Sequence, residues 1–188
     1  MQAALKRDFV SVEDYLADEA ASRVKHEYIG GGVYAMAGAT VEHNLIAINI
    51  ASALRTHLKG KPCRTLISDV KLRLNINSEH VFYYPDVMVG CDPRDKQKLY
   101  LQYPRILVEI ASESTERLDR TEKRVAYQTI ETLEEYLIVA QERTEATIFR
   151  RANNWNSEVI TELAQPISIK SIGLSLPLSA VYDGISLL

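Results

Sequence analysis

Apolar and polar residues recur along this chain with two distinct periods, and the switches between them outline its elements. Near the start, Val12, Tyr15 and Leu16 give an apolar side to a short helix that Ser11 is suited to cap, with Asp14 in its first turn. Residues 27–29 and 33–37 then read as a hairpin joined by Gly30, Gly31 and Gly32. Thr40 can cap a longer helix, along which His43, Ile46, Ala47, Ile50, Leu54 and Leu58 fall at helical spacing. The period then drops to two. In 65–74, Leu66, Val70, Leu72 and Leu74 share one face, while Asp69, Lys71 and Arg73 share the other. The runs 81–89 and 106–111 are apolar on both faces, as in strands covered on both sides, and a polar loop at 92–102 lies between them. Helical spacing returns over 115–133, with Ser114 or Thr115 near its start. A strand at 136–140, a β-type stretch at 146–150, a turn at Asn153 and Asn154 ahead of Trp155, and short extended and helical pieces complete the chain. The order α–β–β–β–α–β, with additions at both ends, predicts a mixed α/β (α+β) fold whose central sheet is flanked by helices.

A chain of 188 residues suits one compact domain, here expected over 1–188 with its core at about 40–140. With 46% hydrophobic and 25% charged residues it has the balance of a globular protein, which excludes disordered and fibrous classes. No apolar run approaches the roughly 20 residues that span a bilayer, and MQAALKRDFV lacks the apolar stretch of a signal peptide. The expectation is a cytoplasmic protein with no membrane partner. Cys63 and Cys91 lie far apart without a CxxC pattern, so neither a disulfide nor a zinc site is expected, as befits a reducing cytosol. The net charge of -3 creates no global basic field, so any nucleic-acid role must rest on a local site.

The two apolar strands hold the chemistry. VFYYPDVMVG carries one charge, Asp86, and the apolar stretch of RILVEIAS carries one, Glu109. Burying an unpaired carboxylate costs several kcal/mol, so such a group is usually neutralised, paired or bound to a metal. If the strands are neighbours, both acids point into one notch, and oxygen ligands of this kind suit a hard cation such as magnesium. Lys123 is the second anomaly. Its same-face neighbours are Asp119, Ala126, Tyr127 and Ile130, which sets a lysine within an apolar stripe. Either it makes a plain intrahelical pair with Asp119, or its ammonium reaches the notch. Asp69, His43 and Glu27 are secondary candidates. An alternating strand with one wet face explains Asp69, capping or core packing explains His43, and hairpin exposure explains Glu27.

Asp86 after Pro85, followed by Glu109 on the next core strand, resembles the PD-(D/E)XK phosphodiesterase superfamily. In more detail, HEYIGGGVYAMAGATVEHNLIA, ISDVKLRL, YYPDVMVGCD, PRILVEIASESTERLDRTEKRVAYQ and LEEYLIV are similar to a bacterial family of restriction-endonuclease-like proteins. The likeness runs from about residue 8 to the C-terminus. It implies a restriction-endonuclease-like αβββαβ core in which Asp86 and Glu109 ligate a divalent metal, Mg2+ or Mn2+. The lysine usual two residues after the glutamate is replaced by Ala111; in the family resembled it has moved to the following helix, which matches Lys123. Where that family commonly has Gly-Glu in the hairpin, this chain has Gly31 and Gly32, and Ile110 and Ala111 stand in place of the commoner Val-Leu.

The resemblance and the residues together imply a divalent-metal-dependent endonuclease that hydrolyses phosphodiester bonds of DNA. Asp86, Glu109 and Lys123 are its expected catalytic residues, Asp86 and Glu109 its metal ligands, and no small-molecule organic cofactor is expected. Cleaving two strands by one mechanism favours a homodimer. The alternative is a catalytically degenerate binding or assembly module, favoured by the glycine at position 32. A third reading is a structural homodimer without a nucleic-acid partner.

Overall fold

The computed structural model describes residues 9–113 and 115–186, so Ser114, one of the two residues read as opening the later helix, lies outside the described residues. Helix α1 (Val12–Ala21) is capped by Ser11, whose hydroxyl oxygen accepts from the Asp14 N–H at 3.1 Å. Strands β1 (His26–Ile29) and β2 (Gly32–Ala35) form the hairpin, turned by Gly30 and Gly31 at φ of 53° and 95°, where a Cβ is poorly tolerated. Thr40 caps helix α2 (Val41–His57) by accepting from the His43 N–H at 3.1 Å.

Two strand-like runs of the sequence each break in the middle. The run 65–74 becomes β3 (Arg64–Ile67) and β4 (Lys71–Ile76), and the run 81–89 becomes β5 (Glu79–Tyr83) and β6 (Val87–Gly90). Pro85 lies in the second break; lacking an N–H, it cannot continue a ladder. Strands β7 (Tyr100–Leu101) and β8 (Pro104–Ala111) follow. The helical pattern over 115–133 is realised as three abutting pieces: α3 (Glu116–Leu118), a π-turn (Asp119–Lys123) and α4 (Arg124–Gln128). Beyond them come β9 (Glu135–Ala140), β10 (Ala146–Arg150), β11 (Ser157–Ile160), the hairpin of β12 (Pro166–Ile169) and β13 (Leu174–Pro177), and α5 (Leu178–Val181).

The halves of each broken run belong to different sheets. One sheet has six strands in the order β11-β10-β9-β8-β6-β3, antiparallel except for the parallel pair β8–β9. The other has five in the order β2-β1-β5-β4-β7, antiparallel except for β4–β7. Around the six-stranded sheet, α2, β3, β6, β8, the α3–α4 crossover and β9 give the α–β–β–β–α–β order read from the sequence.

Alternation along β6 and β8 sorts side chains into two cores. Val87, Val89, Ile106, Val108 and Ile110 pack against Ile46, Ile50 and Leu54 of α2 and against the C-terminal hairpin. Met88, Leu107 and Ala111 face the other way, against Tyr127 of α4 and Leu72, Leu74, Val81 and Tyr83 of the five-stranded sheet. A third, aromatic cluster of Tyr15, Tyr28 and Phe82 fastens α1 to the outer face of that sheet. Glu109 therefore points into the layer between the two sheets.

The expectation of two unpaired cysteines is corrected: Cys63 and Cys91 form a disulfide, with Cα atoms 4.1 Å apart. Spacing along the chain carries no signal of this, but register does. Arg64 pairs with Gly90 at the end of β3 and β6, which sets the next two residues opposite each other. Among the described residues no helix is long and apolar enough to cross a membrane.

Candidate active site

Asp86 is held at the seam where the chain passes from the five-stranded to the six-stranded sheet. The last pair between β6 and β8 is Val87 with Val108, so continuing that register sets Asp86 opposite Glu109. With β6 ending there, the Ile110 N–H donates instead to the Asp86 carboxylate, at 2.7 Å from Oδ2. His43, in the first turn of α2, brings Nε2 to 3.3 Å from the same oxygen.

Glu109 lies inside β8, only 3% exposed. Its Oε1 accepts from the Tyr127 hydroxyl at 2.6 Å and from the Lys123 ammonium at 3.1 Å. Lys123 is 8% exposed. Its Nζ also lies 3.4 Å from Asp119 Oδ1 and 3.6 Å from Glu27 Oε1, and 5.7 Å from the centre of the Tyr83 ring. The π-turn directs both Asp119 and Lys123 inward, and Tyr136 steadies it by donating from its hydroxyl to the Asp119 carbonyl at 3.1 Å. Glu27 comes from β1, on the face opposite Tyr28, so it looks into the layer between the sheets while Tyr28 looks out.

Behind the site, Glu19 of α1 ties β1 to the segment between β5 and β6. Its carboxylate accepts from the Tyr84 hydroxyl at 2.7 Å and from the His26 N–H at 2.9 Å, with His26 Nδ1 at 3.0 Å. Those donors stand one residue before Glu27 and two before Asp86.

Four carboxylates, on Glu27, Asp86, Glu109 and Asp119, thus gather around one ammonium and one imidazole. Burial pushes the Glu109 carboxyl well up, Lys123 opposes the rise, and Asp119 and Asp86 add to it. Burial likewise raises Glu27 and Asp119 against the pull of Lys123. Burial alone would lower the Lys123 ammonium, but Glu109, Glu27, Asp119 and Asp86 together reverse this and hold it well above its ordinary value. His43 follows the same logic: burial opposes its charge, and the bond and charge of Asp86 outweigh burial.

The structure brings Asp86, Glu109, Lys123, His43 and Glu27 into one site and leaves Asp69 out. The Asp69 side chain is 76% exposed and pairs with Lys25 on the surface. Asp119 enters the sequence reading only as an intrahelical partner of Lys123, one of two alternatives, and the structure shows that pair and the reach to Glu109 together; its signal is a second charge on the same apolar stripe. Gly32 lies at the hairpin end, paired with Ile29, and a Cβ there would meet the Tyr34 side chain at 2.9 Å. The hairpin delivers its carboxylate from Glu27 instead.

Among the described residues no three His, Cys, Asp or Glu side chains stand together as a ready-made ligand cage. The donor chemistry nevertheless fits a divalent cation. The oxygens are hard and their charge exceeds what Lys123 balances, and magnesium is typically held by one or two carboxylates plus water and phosphate.

Comparison with known proteins supplies the family and the fold. The model of the Uma2 family, described as "Putative restriction endonuclease", matches residues 12–179. Uncharacterized protein slr1290 of Synechocystis is 33% identical over 179 residues, covering 94% of this chain and 93% of its own. Uncharacterized protein sll1609 of the same organism is 29% identical over 144 residues, 75% of this chain and 80% of its own. The crystal structure of a putative nuclease belonging to DUF820 from Anabaena variabilis shares the fold, with a TM-score of 0.74 at 16% identity over 93% of this chain and 98% of that one.

Proposed function

The chain belongs to the Uma2 family, and from that premise we propose that it is a divalent-metal-dependent endonuclease hydrolysing phosphodiester bonds of DNA. The observation that carries this reading is the excess of buried carboxylate around a single lysine at the seam of two sheets. Asp86 and Glu109 would hold Mg2+ or Mn2+. When bound, such a cation polarises a phosphoryl oxygen and lowers the pKa of a coordinated water. Asp86 is kept in line by the Ile110 N–H and His43, and Glu109 by the Tyr127 hydroxyl. The Lys123 ammonium offsets negative charge as it grows on the phosphoryl group. Glu27 and Asp119 keep that lysine charged and aimed.

The net charge of -3 argues against tight, indiscriminate DNA binding, so local contacts must select the substrate. We propose that it acts as a homodimer, whose two symmetric sites serve the two strands; sedimentation as a monomer at micromolar concentration would count against this. We place its work in the cytoplasm; backbone pairing over Arg64–Ile67 joins β3 to β6 as well as the Cys63–Cys91 disulfide does, so the disulfide is not that strand's sole tie.

The test is nicking of plasmid DNA in Mg2+ or Mn2+. Wild type nicks, Asp86→Ala does not, Lys123→Met is slower by about 10²-fold, and Lys123→Arg recovers little because its planar head replaces a compact ammonium poorly. No nicking by wild type with either metal overturns the enzymatic reading. A second reading, a degenerate binding module, is favoured by the glycine at position 32, and salt-dependent DNA retention without cleavage is its signature.

A further inference from the structure

Lys123 is shared by carboxylates from three separate elements: Glu27 on β1, Glu109 on β8 and Asp119 in the π-turn, at 3.6, 3.1 and 3.4 Å. An ion pair that only braced the fold would need one of them. The acids stand on paired strands or on a turn pinned by Tyr136, whereas the lysine reaches them on a long flexible stem. Two cations on one set of oxygens repel each other, so each weakens the other's hold. The mouth of the site lies at Asp86 and His43, whose side chains keep 15% and 19% exposure against 10% for Lys123.

We propose that Lys123 is the resident counter-ion of this site and competes with a divalent cation for the same carboxylates, so that cation entry from the Asp86 side releases the ammonium. This rests on the reading of Asp86 and Glu109 as metal ligands. The lysine therefore weakens cation binding and keeps the acids folded together when no cation is present. Released from Glu109, the ammonium becomes free to meet phosphate, which couples loading of the site to readiness for an anionic substrate. It also explains why these acids do not stand as an open ligand cage: an ammonium already lies among them.

The test uses the full chain, calorimetric titration with Mn2+, and thermal melting in EDTA. Lys123→Met is expected to bind Mn2+ at least about tenfold more tightly than wild type, because a competing positive charge is gone. In EDTA the same variant is expected to melt below wild type, and adding Glu27→Gln, which removes the charge left unbalanced, is expected to raise it again. Equal or weaker Mn2+ binding by Lys123→Met, with wild type binding normally, overturns the competition and leaves the metal-site reading standing. Absence of binding by both proteins overturns the metal-site reading and the competition with it. If Lys123→Met does not fold in EDTA, recovery of a cooperative transition with Mn2+ or with Glu27→Gln supports the counter-ion role, and recovery with neither overturns it.

Discussion

Glu109 on β8 and Glu135 on β9 are almost sealed from water, at 3% and 2% exposure, on neighbouring parallel strands. Glu135 accepts from Arg150 Nε at 3.0 Å, from the Lys170 and Ser171 N–H groups at 2.9 and 3.0 Å, and from the Ser171 hydroxyl. Arg150 in turn pairs with Glu158 and donates to the Ser168 carbonyl. Glu135 shares its cation with only the half-exposed Glu158 among the described residues and has three further donors, and the assembly locks the loop between β12 and β13 onto β9 and β10. Glu109 instead shares the Lys123 ammonium with Glu27 and Asp119, and has Asp86 opposite it. Burial alone does not separate a brace from a site. The number of donors and cations per carboxylate does.

Substitutions of the two acids should divide cleanly. Asp86→Asn and Glu109→Gln should each lower nicking by about 10³-fold or more, yet leave melting in EDTA unchanged or higher, because each takes one negative charge from a cluster with more carboxylates than cations. Mg2+ or Mn2+ should raise the melting temperature of wild type but barely that of Asp86→Asn. A large loss of stability in either variant would break the contrast. Glu135→Gln should do the reverse. It takes from Arg150 its buried partner, leaving Glu158 and the Ser168 carbonyl, at a cost of up to about 3–5 kcal/mol by urea unfolding, while the folded fraction nicks DNA at the wild-type rate.

A smaller effect should appear in the pH dependence of stability without metal. Glu109, Glu27 and Asp119 have folded pKa values raised chiefly by burial, so between the ordinary carboxylate range, about 4, and their folded values the native state holds protons that the unfolded chain has released. Their contribution is fully present below about pH 4 and is lost as pH rises through the folded values. Glu116 runs the other way. Bonds from Arg143 and Arg120 hold it at about 2, so its contribution is present above the ordinary range and lost as pH falls toward 2. Urea unfolding in EDTA should show Glu27→Gln flattening the decline above pH 4 and Glu116→Gln flattening the rise below it. Unaltered slopes would remove the electrostatic basis of the comparison. The smallest effect belongs to Asp69→Asn: exposed and paired with Lys25 on the surface, it should change stability by no more than about 0.5 kcal/mol and leave nicking intact.

Asp86 and Glu109 were legible in the sequence because each is a solitary charge in an apolar run, and Lys123 because it interrupts a stripe. The helix boundaries at Ser11 and Thr40 were legible because capping is local. What stayed hidden is what depends on partners distant in the chain. Residues 81–89 are apolar on both faces whether they form one strand or pass between two sheets, with Pro85 the sole clue to the break. The convergence of Glu27 with Lys123 depends on the five-stranded sheet lying against the six-stranded one, which no period records. The register joining Cys63 to Cys91 and the donors around Glu135 are likewise tertiary facts.

Parallel pairing of β8 with β9 forbids a tight turn between them, so the chain must travel out and back, and the excursion is the segment that carries Asp119 and Lys123. For β9 to pair with β8 the crossover must return to the sheet, and that return carries the Lys123 ammonium back over the strand that holds Glu109. The covalent link also sets a local concentration. A chain nicked between Ala111 and Asp119 would have to regain by association, at the mercy of dilution, the cation that the intact backbone supplies to Glu109 without a search.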